Sequence, residues 1–185
     1  MARTKKRRFT AEVPHPRLNS RVVEVLAYGL LIVILGLWQA APRGWPMIGG
    51  GRPLLLVPLV ASVAMFAGPV GGGAAGVAAG LLWDMYSNRL FGFNGLVLLI
   101  IGCAVGLLVR LLLRNNVLSA LLLTVGATLA QATADWLCYY LLPMREGMVF
   151  LLVEQVLPNV AYTAVLCLPI YGLVRLVTKI LKKMA

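Results

Sequence analysis

Residues 54–85 read LLLVPLVASVAMFAGPVGGGAAGVAAGLLWDM, and the topology of the whole chain depends on how many times this stretch crosses a bilayer. It is longer than the roughly 20 residues of one straight span and shorter than two full ones. Gly68-Pro69 lies at its centre, followed by Gly71, Gly72 and Gly73. Proline lacks the N–H that a helix interior needs, and a glycine cluster weakens the helix further, so the run predicts a break. Two short helices result, Leu54 to Ala67 and Gly72 to Tyr86, each about 21 to 23 Å long at about 1.5 Å per residue.

The cations decide between one crossing and two. With two, the N-terminal tail (seven Lys and Arg), Arg110 with Arg114, and the C-terminal Arg175, Lys179, Lys182 and Lys183 share one side. Only Arg43, Arg52, Arg89 and Arg145 face the other. With one crossing everything downstream flips, and the two sides become nearly equal. Cytoplasmic loops carry an excess of Lys and Arg, so two crossings, with both termini cytoplasmic, is the better reading.

The remaining spans follow from the apolar runs. Val22 to Ala41 precedes the stretch; Phe93 to Leu113, Val117 to Leu142 and Met148 to Val177 follow it. Pro158 and Pro169 inside the last predict kinks, tolerated where neighbouring helices satisfy the freed carbonyls. Residues 1–21 read as a basic cytoplasmic tail, 22–178 as a six-helix transmembrane domain and 179–185 as a basic cytoplasmic tail. The long polar leader and the later spans favour a retained anchor over a cleaved signal peptide. The expected fold is an all-α integral membrane protein of six transmembrane helices.

Composition agrees. Of 185 residues, 61% are apolar and 12% charged, about half the charge of a soluble domain. The net charge of +11 would suit nucleic acid, but the cations cluster at the ends of apolar runs, where they meet anionic headgroups instead. Cys103, Cys138 and Cys167 each lie in an apolar stretch, and His15 is the sole histidine. That pattern gives no metal-ligand spacing and implies no cofactor.

Several residues stand out inside the spans. Gly68, Gly72, Gly76 and Gly80 recur every four residues, and Gly102 with Gly106 repeats the spacing. Small residues at that period let helices approach closely, within the chain or against a partner. Asp84 follows on the same face. A carboxylate near a span is costly and invites a functional reading; pairing with Arg89 or anchoring of the outer turn is the structural alternative. Thr124, Thr128, Gln131 and Asp135 also share one helical face. Glu154 and Asn159 flank Pro158 in the last span, and Glu154 could share an outer cavity with Asp135. The set suits a hydrogen-bonded core or a cavity for a polar or cationic ligand. No GxSxG, HExxH or Walker pattern is present, and the two aspartates lack the context of a protease pair, so the chain reads as a non-enzyme.

At Gly76-Val-Ala-Ala-Gly80-Leu81-Leu82-Trp83-Asp84, then Phe91-Gly92-Phe93-Asn94-Gly95-Leu96, the chain resembles the MreD family of rod shape-determining proteins. Leu157-Pro158-Asn159, Pro169-Ile170-Tyr171 and the basic C-terminus continue the likeness. The basic N-terminal extension departs from it. The resemblance implies a non-catalytic scaffold of the cell-elongation complex in the bacterial cytoplasmic (inner) membrane, in cell-shape control and lateral peptidoglycan synthesis. Its implied partners are MreC and, through it, MreB, RodA and a class B penicillin-binding protein. It also implies a fold similar to the S components of energy-coupling-factor transporters. The rival reading is therefore a substrate-binding subunit for a vitamin or metal. Short outer loops, Ser87 to Gly92 and Pro143 to Gly147, leave little lid for such a pocket.

Overall fold

The computed structural model describes residues 18–41, 53–87, 90–113, 115–141 and 148–184; within these, the side chains of residues 18–21, 140–141, 148–155, 157 and 184 lie outside the description. All described secondary structure is helical. The order is α1 (Leu18–Ala40), α2 (Leu56–Tyr86), α3 (Phe93–Leu111), α4 (Val117–Trp136) leading into a π-helical turn (Leu137–Leu141), and α5 (Met148–Met184). Each of the five α-helices contains a stretch long and apolar enough to cross a membrane. α5 runs on to Met184, so residues 179–184, read as part of a C-terminal tail, are helical.

α2 is not one rod. Gly68 has φ +78° and ψ −173°, a region that is essentially reserved for glycine. A Cβ built on Gly36 of α1 would collide with Leu82 and lie 3.7 Å from Leu56. In a straight helix those two leucines would stand about 39 Å apart. A Cβ on Gly72 would likewise run into Ala64, 2.8 Å from its Cα. α2 therefore doubles back at Gly68 into two arms, residues 56–67 and 69–86, lying side by side. Pro69 leaves the carbonyl of Met65 without its helical N–H donor. The Asn115 side chain replaces it, donating Nδ2 to the Met65 oxygen at 2.9 Å.

The first arm is the core. Leu56, Val57, Leu59 and Val60 have no exposed surface, and burial extends on every side from Leu55 to Met65. A helix that is apolar all round must be enclosed by other helices. α2 as a whole touches α1, α3, α4 and α5. Their outward faces remain apolar: Val25, Leu26 and Leu30 on α1, Leu96 and Ile100 on α3, Leu118 and Leu122 on α4, Val165 and Leu176 on α5 are all exposed. An apolar skin this extensive has no place in water. It is the lipid-facing surface of a multi-pass membrane protein.

The second arm lies against α3, backbone to backbone. Cβ atoms added at Gly76 and Gly80 would strike the main chain of Leu98 and of Asn94 and Gly95. At Gly72 the added atom would sit 2.7 Å from the Gly102 oxygen, and at Gly106 it would sit 2.5 Å from the Pro69 nitrogen. Each four-residue step along the arm is matched by a four-residue step back along α3. The pair is thus an antiparallel hairpin whose seam has no room for a side chain.

The polar contacts assign the ends. Gln39 Oε1 accepts the Leu56 N–H at 3.0 Å, and Thr163 Oγ1 accepts the Leu54 N–H at 3.2 Å. Those groups lie at the end of the bundle where α2 starts. The other end holds the Gly68 reversal, Asn115, and the Phe66 ring stacked on Tyr171 with centroids 5.6 Å apart.

Candidate functional site

Asp84 closes the second arm, two turns beyond Gly76 and one beyond Gly80, so all three share a face. The close approach at Gly80 brings the first turn of α3 within reach of the carboxylate. Asp84 is 5% exposed. Its Oδ2 accepts the Gly92 N–H at 2.8 Å and the Gly95 N–H at 3.4 Å; its Oδ1 accepts Asn94 Nδ2 at 2.7 Å and the Asn94 N–H at 3.4 Å.

The chemistry is that of a helix cap supplied from another helix. The first N–H groups of a helix have no internal acceptor, and a side-chain oxygen of the residue before the helix usually takes them. That residue here is Gly92, held at φ +92° and carrying no side chain. Asp84 takes over the role, and its negative charge lies at the positive end of the α3 dipole. Gly92 contributes only the left-handed turn and the N–H.

From there a polar seam crosses the bundle. Asn94 and Gln131 are both fully buried. Gln131 Nε2 donates to Asn94 Oδ1 at 2.7 Å and to Asp135 Oδ1 at 3.3 Å. α2, α3 and α4 are thereby joined through Asp84, Asn94, Gln131 and Asp135. Both amide hydrogens of Gln131 point at acceptors, so the opposite amide orientation would set oxygen against oxygen. Gln131 Oε1 is left buried with no partner among the described residues.

Further along α4, Thr128 is tied to the carbonyl of Thr124 at 2.8 Å, and Thr124 Oγ1 meets the Cys167 thiol of α5 at 3.1 Å. The same thiol reaches the Ala120 carbonyl at 3.6 Å. The Thr124–Thr128–Gln131 face is therefore turned inward, with Asp135 half-buried at its end. Gly126 and Ala130, beside it, are exposed. Pro158 and Asn159 sit half-buried within α5. Arg89 and the Glu154 side chain lie outside the described residues, as do the Asp84–Arg89 pair and the cavity shared by Asp135 and Glu154.

Sequence reasoning did not single out Asn94, Asn115, Gln39 or Thr163 as bonding residues. A signal existed for Asn94, an amide in the first turn of an otherwise apolar helix, and for Asn115, an amide next to a span end when Pro69 had left a carbonyl to satisfy. Gln39 and Thr163 carry no local signal, because each serves a backbone group on a different helix.

No curated protein and no solved structure matches the chain. The family model for the rod shape-determining protein MreD matches residues 19–177, a range that contains the glycine seam, the Asp84 cap and the polar seam, and the chain accordingly belongs to the MreD family of rod shape-determining proteins.

Proposed function

We propose that the chain is a non-catalytic scaffold of the cell-elongation machinery in the inner membrane, holding MreC and, through it, MreB, RodA and a class B penicillin-binding protein near the site of lateral wall synthesis. The observation that carries this reading is the state of Asp84. Four donors occupy its two oxygens, so the most conspicuous carboxylate in the spans is committed to holding α2 and α3 together. Gly72, Gly76, Gly80, Gly102 and Gly106 serve the same purpose, and Gln131 and Asp135 extend it to α4. Such a body offers a fixed outer surface for partner helices.

The proposed topology has six crossings, each arm of α2 counting as one, with both termini cytoplasmic. The reversal at Gly68 and the cation distribution support it. Alkaline phosphatase fused after Arg89 or Arg145 is expected to be active, and after Arg114 inactive; activity at Arg114 with silence at Arg89 would reverse the topology.

One observation favours the second reading, a substrate-binding subunit resembling the S components of energy-coupling-factor transporters. Gln131 Oε1, without a partner among the described residues, is where a polar ligand could enter the seam. Purification in mild detergent separates the two. Recovery of MreC, with rounding of rod-shaped cells on depletion and unchanged vitamin uptake, is the expected result. Recovery of an ATPase pair with a small molecule retained would replace the scaffold by the transport subunit.

A further inference from the structure

α5 carries three faces toward its C-terminal end. Tyr171, Val174 and Thr178 are buried, and the Thr178 hydroxyl bonds Tyr28 of α1 at 2.8 Å, fixing the helix against the bundle. Leu173, Leu176 and Ile180 form an exposed apolar face. Between the two run Arg175, Lys179 and Lys183, all exposed and spaced four residues apart. At 100° per residue these three form one stripe about 12 Å long.

Among the described residues no acid compensates that stripe. Asp84 and Asp135 belong to the polar seam at the opposite end of the bundle. Among the described acids Glu24 is the nearest in register, because α1 and α5 run antiparallel through the Tyr28–Thr178 contact. Its carboxylate accepts the Tyr28 hydroxyl at 3.3 Å, and it lies level with Lys182, which projects on the bundle side of the stripe. The exposed Arg110 in the last turn of α3 adds a further cation at this end.

We propose that Arg175, Lys179 and Lys183 form a binding site for the phosphate headgroup of an anionic phospholipid in the adjoining leaflet. Charge complementarity selects an anion, and the apolar neighbours select a lipid. Leu176 and Ile180 face outward at the same depth as the cations, so hydrocarbon reaches this level of the helix. Long basic side chains at such a boundary lay their methylenes on the acyl chains and carry the charge to the phosphate layer. A cytoplasmic acidic protein would need the stripe to stand clear of the acyl region, which the exposed Leu176 and Ile180 oppose. Each cation near an anionic surface contributes about 1 kcal/mol, so three give roughly a hundredfold preference in the favourable limit.

The test compares protein reconstituted in phosphatidylcholine vesicles with and without phosphatidylglycerol, then extracted in mild detergent and analysed for retained lipid. Wild type is expected to retain phosphatidylglycerol several-fold over phosphatidylcholine, and high salt during extraction should lower the ratio. The variant R175Q/K179Q/K183Q is expected to lose the preference while keeping its thermal midpoint in pure phosphatidylcholine, and R110Q is expected to keep it. Should the triple variant not fold, K179R/K183R, with charge preserved, must retain the preference and K179Q alone must weaken it. Equal retention of the two lipids by wild type, an undiminished preference in the glutamine variants, or full competition by inorganic phosphate would each overturn the site. So would loss of an acidic cytoplasmic protein from the triple variant with no change in lipid retention.

Discussion

Replacing Asp84 by Asn removes one negative charge and turns one of two acceptor oxygens into a donor. The wild-type oxygens divide four donors evenly: Gly92 N–H and Gly95 N–H on one, the Asn94 side chain and N–H on the other. Whichever way the new amide turns, its NH2 faces two N–H groups and leaves a short bond, 2.7 or 2.8 Å, unmade. A buried donor left without an acceptor costs about 1–3 kcal/mol, and loss of the anion from the α3 N-terminus costs up to about 2 kcal/mol more in a part-buried setting. Asp84→Asn should therefore destabilise by about 2–4 kcal/mol, and Asp84→Leu, which abandons all four donors, by more. The assay is reversible unfolding in mixed micelles followed by tryptophan fluorescence, for which Trp83 is a neighbouring reporter. Two outcomes would exclude a capping role for Asp84. If both variants unfold within about 0.5 kcal/mol of wild type, the cap is not what holds the hairpin end. If Asp84→Asn is fully stable yet abolishes cell-shape function, the charge serves a partner or ligand.

Two further substitutions probe the hairpin. Gly76→Ala places a methyl on the Leu98 carbonyl and should cost about 1–3 kcal/mol, as overpacking does, whereas Gly126→Ala, where an added Cβ meets nothing within 4 Å, should be neutral or stabilising; equal effects on unfolding in the same micelles would contradict the seam. Asn115→Leu should expose the loss of the Met65 bond as about 1–3 kcal/mol of instability, with Asn115→Gln partly restoring it; a neutral leucine variant would mean that the Met65 carbonyl finds another donor.

The reversal was legible because its signal is local and chemical. Proline cannot donate, and the glycines around it stabilise neither a helix nor a bulky contact. The four-residue glycine spacing was equally visible, as was the common face of Thr124, Thr128 and Gln131. What the sequence left open was who bonds whom. Asp84 and Arg89 are close in sequence and opposite in charge, which makes that pair the natural first thought. The capping donors of α3 become visible only once Gly80 has brought the two backbones into contact. The same holds for Gln131, whose partner Asn94 lies on another helix and whose face alone could be read from periodicity.

One rule joins these contacts. In hydrocarbon no water can satisfy a helix end, so each interruption must recruit a side chain from elsewhere in the bundle. The α3 start takes Asp84, the Pro69 break takes Asn115, and the α2 start takes Gln39, while Thr163 serves the turn just before it. Asn115 and Thr163 come later in the chain than the groups they satisfy. The first arm of α2, apolar on its sides except at Ser62, therefore carries unsatisfied ends until α4 and α5 are in place. The central arm is thus the part of the fold that can be completed last, although it enters the membrane early. It follows that α1, α2 and α3 without the remainder should not reproduce the native core. Truncation after Leu113 should leave the Leu54 amide open to solvent exchange while the Asp84 cap, made wholly within α2 and α3, stays protected. Amide hydrogen exchange on the truncated and full chains measures both at once. Protection of Leu54 in the truncated form, equal to that in the full chain, would show that the arm closes without Thr163.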